Sequence, residues 1–257
     1  MIDPQKLILK LRKPPGVHNW VRNVRRRRYD MAQSLYNTAI NAPRHSLRQV
    51  TDIIRQVVVD GIDDEQAYKC VEYIKNPRTH AYALQILRVI LPYIREHCWE
   101  GVEVFKDMVE YYRVAANVNV PVRPTFVVND GEKVIPYFVI CWTEIGLSYY
   151  QRRILTTLIQ EAILSLEEFD GSDAVIVCVP RYSFSKTERH VVKWNLSHYP
   201  QLSDDEKTDL FERYGGALSD AERMILENLD YAAWANRTGA GGVSMTLRWA
   251  GSPLLFL

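Results

Sequence analysis

Five arginines within seven residues, Arg22 and Arg25 to Arg28, are the densest group of one chemical type in this chain. A guanidinium is planar, stays charged, and presents a fork of N–H donors that fits a phosphate or a carboxylate two bonds at a time. Trp20 and Tyr29 flank the run. Cations beside aromatic rings are what single-stranded nucleic acid uses, phosphate on cation and base on ring. We therefore expect a nucleic-acid-binding segment of Trp20, Arg22, Arg25, Arg26, Arg27 and Arg28, with RNA or DNA as the partner. The same forks fit an acidic protein surface or the chain's own acidic portion, a solvated helix end with no specific role is the third reading, and all stay open.

The charge pattern around the run has the same sense. Residues 1–55 hold twelve Lys and Arg against three Asp and Glu, whereas residues 56–257 hold twenty against twenty-eight. The formal net charge of +1 is thus a cancellation between a basic end and an acidic remainder. Such asymmetry points to a terminus that meets a polyanion or an acidic surface.

Other chemistry is thinly represented. The six histidines, His18, His45, His80, His97, His190 and His198, show no HExxH or HxH spacing. Cys70, Cys98, Cys141 and Cys178 lack CxxC spacing and read as small hydrophobes in a reducing compartment. Glu132 and Lys133 are adjacent in a turn, so they cannot share a metal–water site in the manner of a restriction-type nuclease. Lys186, Glu188, Arg189 and His190 form a polar cluster that reads either as an anion or general-base site or as a solvated hairpin tip. No GxxxxGK[ST] loop, GxGxxG turn or GxSxG elbow occurs. No catalytic residue, metal or cofactor is expected. An enzyme remains a third class, to be recognised if Glu144, Lys186, Glu188 and His190 converge.

Composition is that of an ordinary globular protein, 47% hydrophobic and 25% charged, and 257 residues allow one large domain or two smaller ones. The first residues lack the apolar core of a secretory signal, and no apolar window approaches the ~20 residues of a membrane span. The expectation is a cytoplasmic protein without a membrane partner, acting as an oligomer or a complex subunit.

The elements that must position these residues divide near Pro121-Val122-Arg123-Pro124. Before that break the pattern is helical. If residues 19–40 form one helix, Val21, Val24, Arg28, Ala32, Leu35 and Ala39 share a seam. Helices are also expected after Ser46 and after Asp63, over 79–98 with Pro92 as a kink or break, and over 100–115. The last has Val104, Met108, Tyr111 and Tyr112 on one side.

Beyond the break, strand patterns at 125–129 and 135–142 surround Asp130-Gly131, a hairpin signal. Pro136 favours an edge strand or a strand starting at Tyr137. Ser148 with Gln151 opens an amphipathic helix whose stripe runs from Ile154 to Leu166. Strands follow at 174–180 and 190–196. Two further helices open at Ser203 and Ser219 and end near Gly215-Gly216 and Asn236, and 243–249 reads as a last strand. The fold class is α+β: a basic, helical N-terminal domain over 1–120, then a mostly antiparallel ββαββ-type sheet over 121–257 with helices on one face.

Overall fold

The strands of the second half follow from their alternation. In the computed structural model, which describes residues 3–41, 47–97, 108–129 and 131–238 with side chains as far as Asn228, four strands form one sheet. They are β3 (Phe126–Asn129), β4 (Val134–Ile140), β5 (Val175–Cys178) and β6 (Val192–Asn195), in that spatial order. The β3–β4 and β5–β6 pairs are antiparallel, while β4 and β5 are parallel and joined by helix α7 (Tyr149–Ile159). The order ββαββ and the α+β class are those the sequence pattern gives. Pro136 sits in a central strand without harm. It faces Val127 of β3, and pairing to β5 begins one residue later, at Tyr137 opposite Val175.

Successive side chains on a strand point to opposite faces, and here both faces are covered. Val127, Phe138, Ile140, Ile176, Cys178 and Trp194 enter one core. That core also holds Ile154, Leu155 and Leu158 of α7, together with residues of α1 (Pro4–Leu11), α2 (Val17–Asn23), α3 (Arg28–Ile40) and α8 (Asp204–Thr238). Phe126, Val128, Tyr137, Val139, Val177 and Val179 enter a second core. There they meet α4 (Arg48–Val59), α5 (Asp64–Glu72) and α6 (Pro77–Glu96). The helices expected to form a separate N-terminal unit thus lie on the sheet, and residues from both sides of position 120 share each core.

Local signals set several boundaries. The capping boxes Asp63–Gln66 and Ser148–Gln151 form in full, and Ser203 and Glu206 exchange backbone and side-chain bonds at the start of α8. Pro92 lies on the exposed side of α6, which runs on to Glu96. Ser46, Cys98, Val104, Asp130, the link 239–242 and the expected strand 243–249 lie outside the described residues.

Three expectations are corrected. Residues 110–115 are not helical: β1 (Glu110–Ala115) and β2 (Val118–Val122) form a hairpin. The chain turns at Asn117, whose φ of 60° suits a left-handed turn residue. Tyr112, Val114, Val118, Val120 and Val122 line its inner face. Residues 19–40 are two helices rather than one, broken at 24–27. Gly215-Gly216 does not end a helix, because α8 continues through both glycines and past Ser219. A Cβ on Gly216 would lie 2.8 Å from Cζ and Nε of Arg28, so this glycine opens the surface of α8 to a guanidinium.

Candidate functional site

The break between α2 and α3 displays the arginine run. Val24 leaves the helical region with ψ 134°, and Arg27 caps α3 without a side-chain hydrogen bond. A buried side chain of α7 closes the free end of α2. Gln151 Nε2 donates toward the carbonyls of Val21, Arg22 and Val24 at 3.1, 3.3 and 3.0 Å. Its Oε1 accepts from the Ser148 N–H at 2.9 Å. One amide therefore serves the N-terminus of α7 and the C-terminus of α2 together, giving partners to backbone groups that a helix end leaves open. Asn23 Oδ1 accepts from Ser34 Oγ and Thr38 Oγ1, which folds α2 against α3.

The six predicted residues fare differently. Trp20 is core, 2% exposed and 5.1 Å from the Tyr214 ring, so it offers no face to a base. Burial corrects its assignment, and the exposed ring beside the run is Tyr29. Arg28 crosses Gly216 to Asp220, with Nε–Oδ2 2.7 Å and Nη2–Oδ1 3.1 Å. That bidentate pair, and the Asp220 carboxylate with it, hold the Arg28 pKa above its usual value. Arg12 makes the equivalent pair with Glu222. The acidic α8 therefore takes two cations of the basic end.

The other four remain outward. Arg22 lies over the Trp142 ring at 4.9 Å and Arg26 over the Tyr150 ring at 5.4 Å. Arg25 Nη1 donates to the Arg22 and Val24 carbonyls at 2.5 and 2.9 Å. Arg27 is exposed. None of these four has a carboxylate within ion-pair distance among the described residues. An arginine lying on a ring keeps its N–H edge for a third group.

The cluster Lys186 to His190 is a second place of interest. Lys186 and Glu188 are exposed, as a hairpin tip requires. Arg189 is not a tip residue. It is 5% exposed, and its Nη1 donates to the carbonyls of Val179 at 2.6 Å, Trp142 at 3.1 Å and Cys141 at 3.4 Å. These carbonyls lie just past the C-terminal ends of the parallel strands β4 and β5, where ligands of parallel sheets bind. Arg189 Nε and Nη2 find no acceptor among the described residues, and neither does Arg181 Nε. Burial, and then the Arg181 charge, lower the Arg189 pKa. Arg181 bonds the neutral Gln85 of α6 at 3.0 Å, and both guanidinium groups lie over the Tyr82 ring.

Glu144 is exposed, and no hydrogen bond or ion pair joins it to Lys186, Glu188 or His190. Burial pushes the thiols of Cys141 and Cys178 up to about 12, which leaves no thiolate near neutral pH. Among the described residues, no group of three or more His, Cys, Asp or Glu could hold a metal ion. Within the same residues, no helix is long and apolar enough to cross a membrane.

Arg181, Tyr182 and Phe184 were not among the expected site residues, and Gln151 and Gly216 were expected only as helix-boundary signals. The alternation Arg181-Tyr182-x-Phe184-x-Lys186 was a legible basic–aromatic signal. The reach of Gln151 to Val21 and of Arg28 across Gly216 had none, since each joins positions more than a hundred residues apart. No protein-family model and no curated protein sequence matches the chain.

Proposed function

We propose that this chain is a non-enzymatic, cytoplasmic nucleic-acid-binding subunit that holds phosphates with Arg22, Arg25, Arg26 and Arg27. The observation that carries the reading is the division of the basic end. Arg12 and Arg28 are taken by Glu222 and Asp220, while the four residues around the helix break have no carboxylate partner among the described residues. The free thiols Cys70, Cys141 and Cys178 accord with a reducing compartment.

The test is binding of labelled RNA, single-stranded DNA and duplex DNA across a salt series. Arg22, Arg26 and Arg27 donate no side-chain hydrogen bond to the described residues, so their joint replacement by Ala should cost only the ring contacts of Arg22 and Arg26, and a circular-dichroism spectrum matching the parent is the control. The slope of log affinity against log salt should become shallower by ~0.7–0.9 for each phosphate that is no longer neutralised. Affinity should fall for all sequences alike. Parent protein that binds nothing at low salt, or a variant that binds like the parent, refutes the reading. An acidic protein surface then takes its place, a second reading favoured by the two bidentate carboxylate pairs that Arg12 and Arg28 already make.

A further inference from the structure

The loop 181–190 carries a column of aromatic rings that ends in solvent. His190 stacks on Tyr182 with centroids 4.3 Å apart and planes 23° from parallel, and Phe184 stacks on Tyr182 at 5.0 Å and 19°. Phe184 is 79% exposed and Tyr182 39%. No other ring packs on Phe184 among the described residues, so the column stops there with a ring mostly in water.

The loop is held in shape. The Tyr182 N–H donates to the Glu188 carbonyl at 3.1 Å, and the Ser185 N–H to the Tyr182 carbonyl at 3.1 Å. Ser185 Oγ accepts from the N–H groups of Thr187 and Glu188 at 3.3 and 3.0 Å. Buried Arg189 fastens the base of the loop to the ends of β4 and β5. These bonds hold the ring outward in the free protein, which lowers the ordering cost of binding.

The loop carries three cations, Arg181, Lys186 and Arg189. Arg181 bonds only neutral groups, Lys186 has no partner among the described residues, and Arg189 faces no carboxylate among them. Glu188 is the one acidic side chain in the loop, and it is exposed. The site also adjoins the arginine run through the connection from β4 to α7. Trp142 carries Arg22 on its ring and gives its carbonyl to Arg189, while the Thr143 carbonyl accepts from the Arg181 N–H at 2.9 Å.

We propose that this loop is a stacking platform for single-stranded nucleic acid, in which an unpaired base lies on Phe184 while Arg181 and Lys186 meet the adjoining phosphates. The proposal rests on the nucleic-acid reading and specifies its substrate. Bases in a duplex have both faces occupied by neighbours, whereas an unpaired base offers a free face to an aromatic ring whatever its sequence.

The experiment compares the parent with Phe184→Ala and Phe184→Trp by fluorescence anisotropy. The probes are poly(U), poly(dT) and a mixed-sequence DNA duplex of about 20 nucleotides, longer than one such site occupies. Phe184→Ala should weaken both single strands ~5- to 150-fold, the range for loss of one base–aromatic stack, and leave duplex affinity and the salt slope unchanged. Phe184→Trp should retain single-strand affinity and gain a tryptophan signal that changes on binding. If the parent binds single strands and Phe184→Ala binds them equally well, the platform is refuted while the nucleic-acid reading stands. Equal loss for duplex and single strand also refutes it. A parent that binds none of the probes at low salt removes both. The ring is exposed, so a circular-dichroism spectrum matching the parent is expected and excludes misfolding as the cause of a loss.

Discussion

Alanine at Gly216 should behave unlike alanine at Gly215, and Arg28 is the reason. In a helix interior alanine is favoured over glycine by about 1 kcal/mol, through its smaller loss of backbone freedom. A Cβ on Gly215 meets nothing within 4 Å, so Gly215→Ala should realise that gain. For a chain of this size the midpoint of thermal unfolding should rise by about 2–4 °C. A Cβ on Gly216 would lie 2.8 Å from Cζ and Nε of Arg28 and 2.9 Å from Nη1, closer than carbon tolerates. The guanidinium is the movable end of its side chain, so it would swing away and surrender both bonds to Asp220. Gly216→Ala should therefore stabilise less than Gly215→Ala. With Arg28→Ala in the background the obstruction and the pair are both gone, and the two alanines should then gain the same ~1 kcal/mol. Urea unfolding of the six proteins closes the cycle. Equal gains from the two glycine replacements in the parent would show that Arg28 does not cross α8 at Gly216. A deficit that survives Arg28→Ala would place the obstruction elsewhere.

Leu158, 1% exposed between α7 and the sheet, should cost ~2–5 kcal/mol on truncation to Ala, and an unchanged urea midpoint would remove that face from the core. Burial holds the His18 pKa down at about 4. The unfolded chain, with His near 6.5, then binds the proton first, so stability should be lost as pH falls from 6.5 toward 4, by up to ~3 kcal/mol. His18→Gln should flatten that part of the pH–stability curve, and a curve superimposable on the parent's would count against the burial. Gln151→Glu places an acceptor against the carbonyls of Val21, Arg22 and Val24, where only a protonated carboxyl can donate. Its folded pKa should rise, so the deficit against the parent should widen above about pH 4.3, by at most ~1.4 kcal/mol per unit, with Arg25 offsetting part of it. A deficit that does not vary with pH would mean that the side chain has left the helix end.

The parts of the fold that could be read in advance were those fixed by neighbours in the chain. Val175 to Val179 alternate between two buried faces, and Ser148 with Gln151 marks the start of α7 within three residues. The hairpin β1–β2 was missed because Tyr111, Tyr112 and Met108 satisfy a helical spacing as readily as a strand. The deciding residue, Asn117, lies beyond that window. Gly216 was misread because its cause is Arg28, almost two hundred positions earlier. The candidate site divides in the same way. Exposure of Arg26 and Arg27 follows from local charge density, whereas burial of Trp20 depends on Tyr214, and burial of Arg189 on carbonyls from two separate stretches of chain.

The number of arginines matters less than the turn of backbone that sorts them. In a single helix over 19–40, Arg28 would stand in the apolar seam between Val24 and Ala32, with its charge directed into the core. The break lets Val24 finish the buried face of α2. It also lets α3 begin afresh at Arg28, turned toward Asp220, with Arg26 and Arg27 left outside. Four adjacent cations repel and would not hold such a bend by themselves. The hold comes from Gln151, in the first turn of α7, which satisfies the end of α2 while it completes its own capping box. The residue that positions the basic segment thus belongs to the crossover helix of the sheet. The connection leading into that helix also supplies Trp142 to Arg22 and the Trp142 and Thr143 carbonyls to the 181–190 loop. Both basic surfaces are therefore built outward from the β4–α7 junction, and a change there that spares every arginine should disturb both of them.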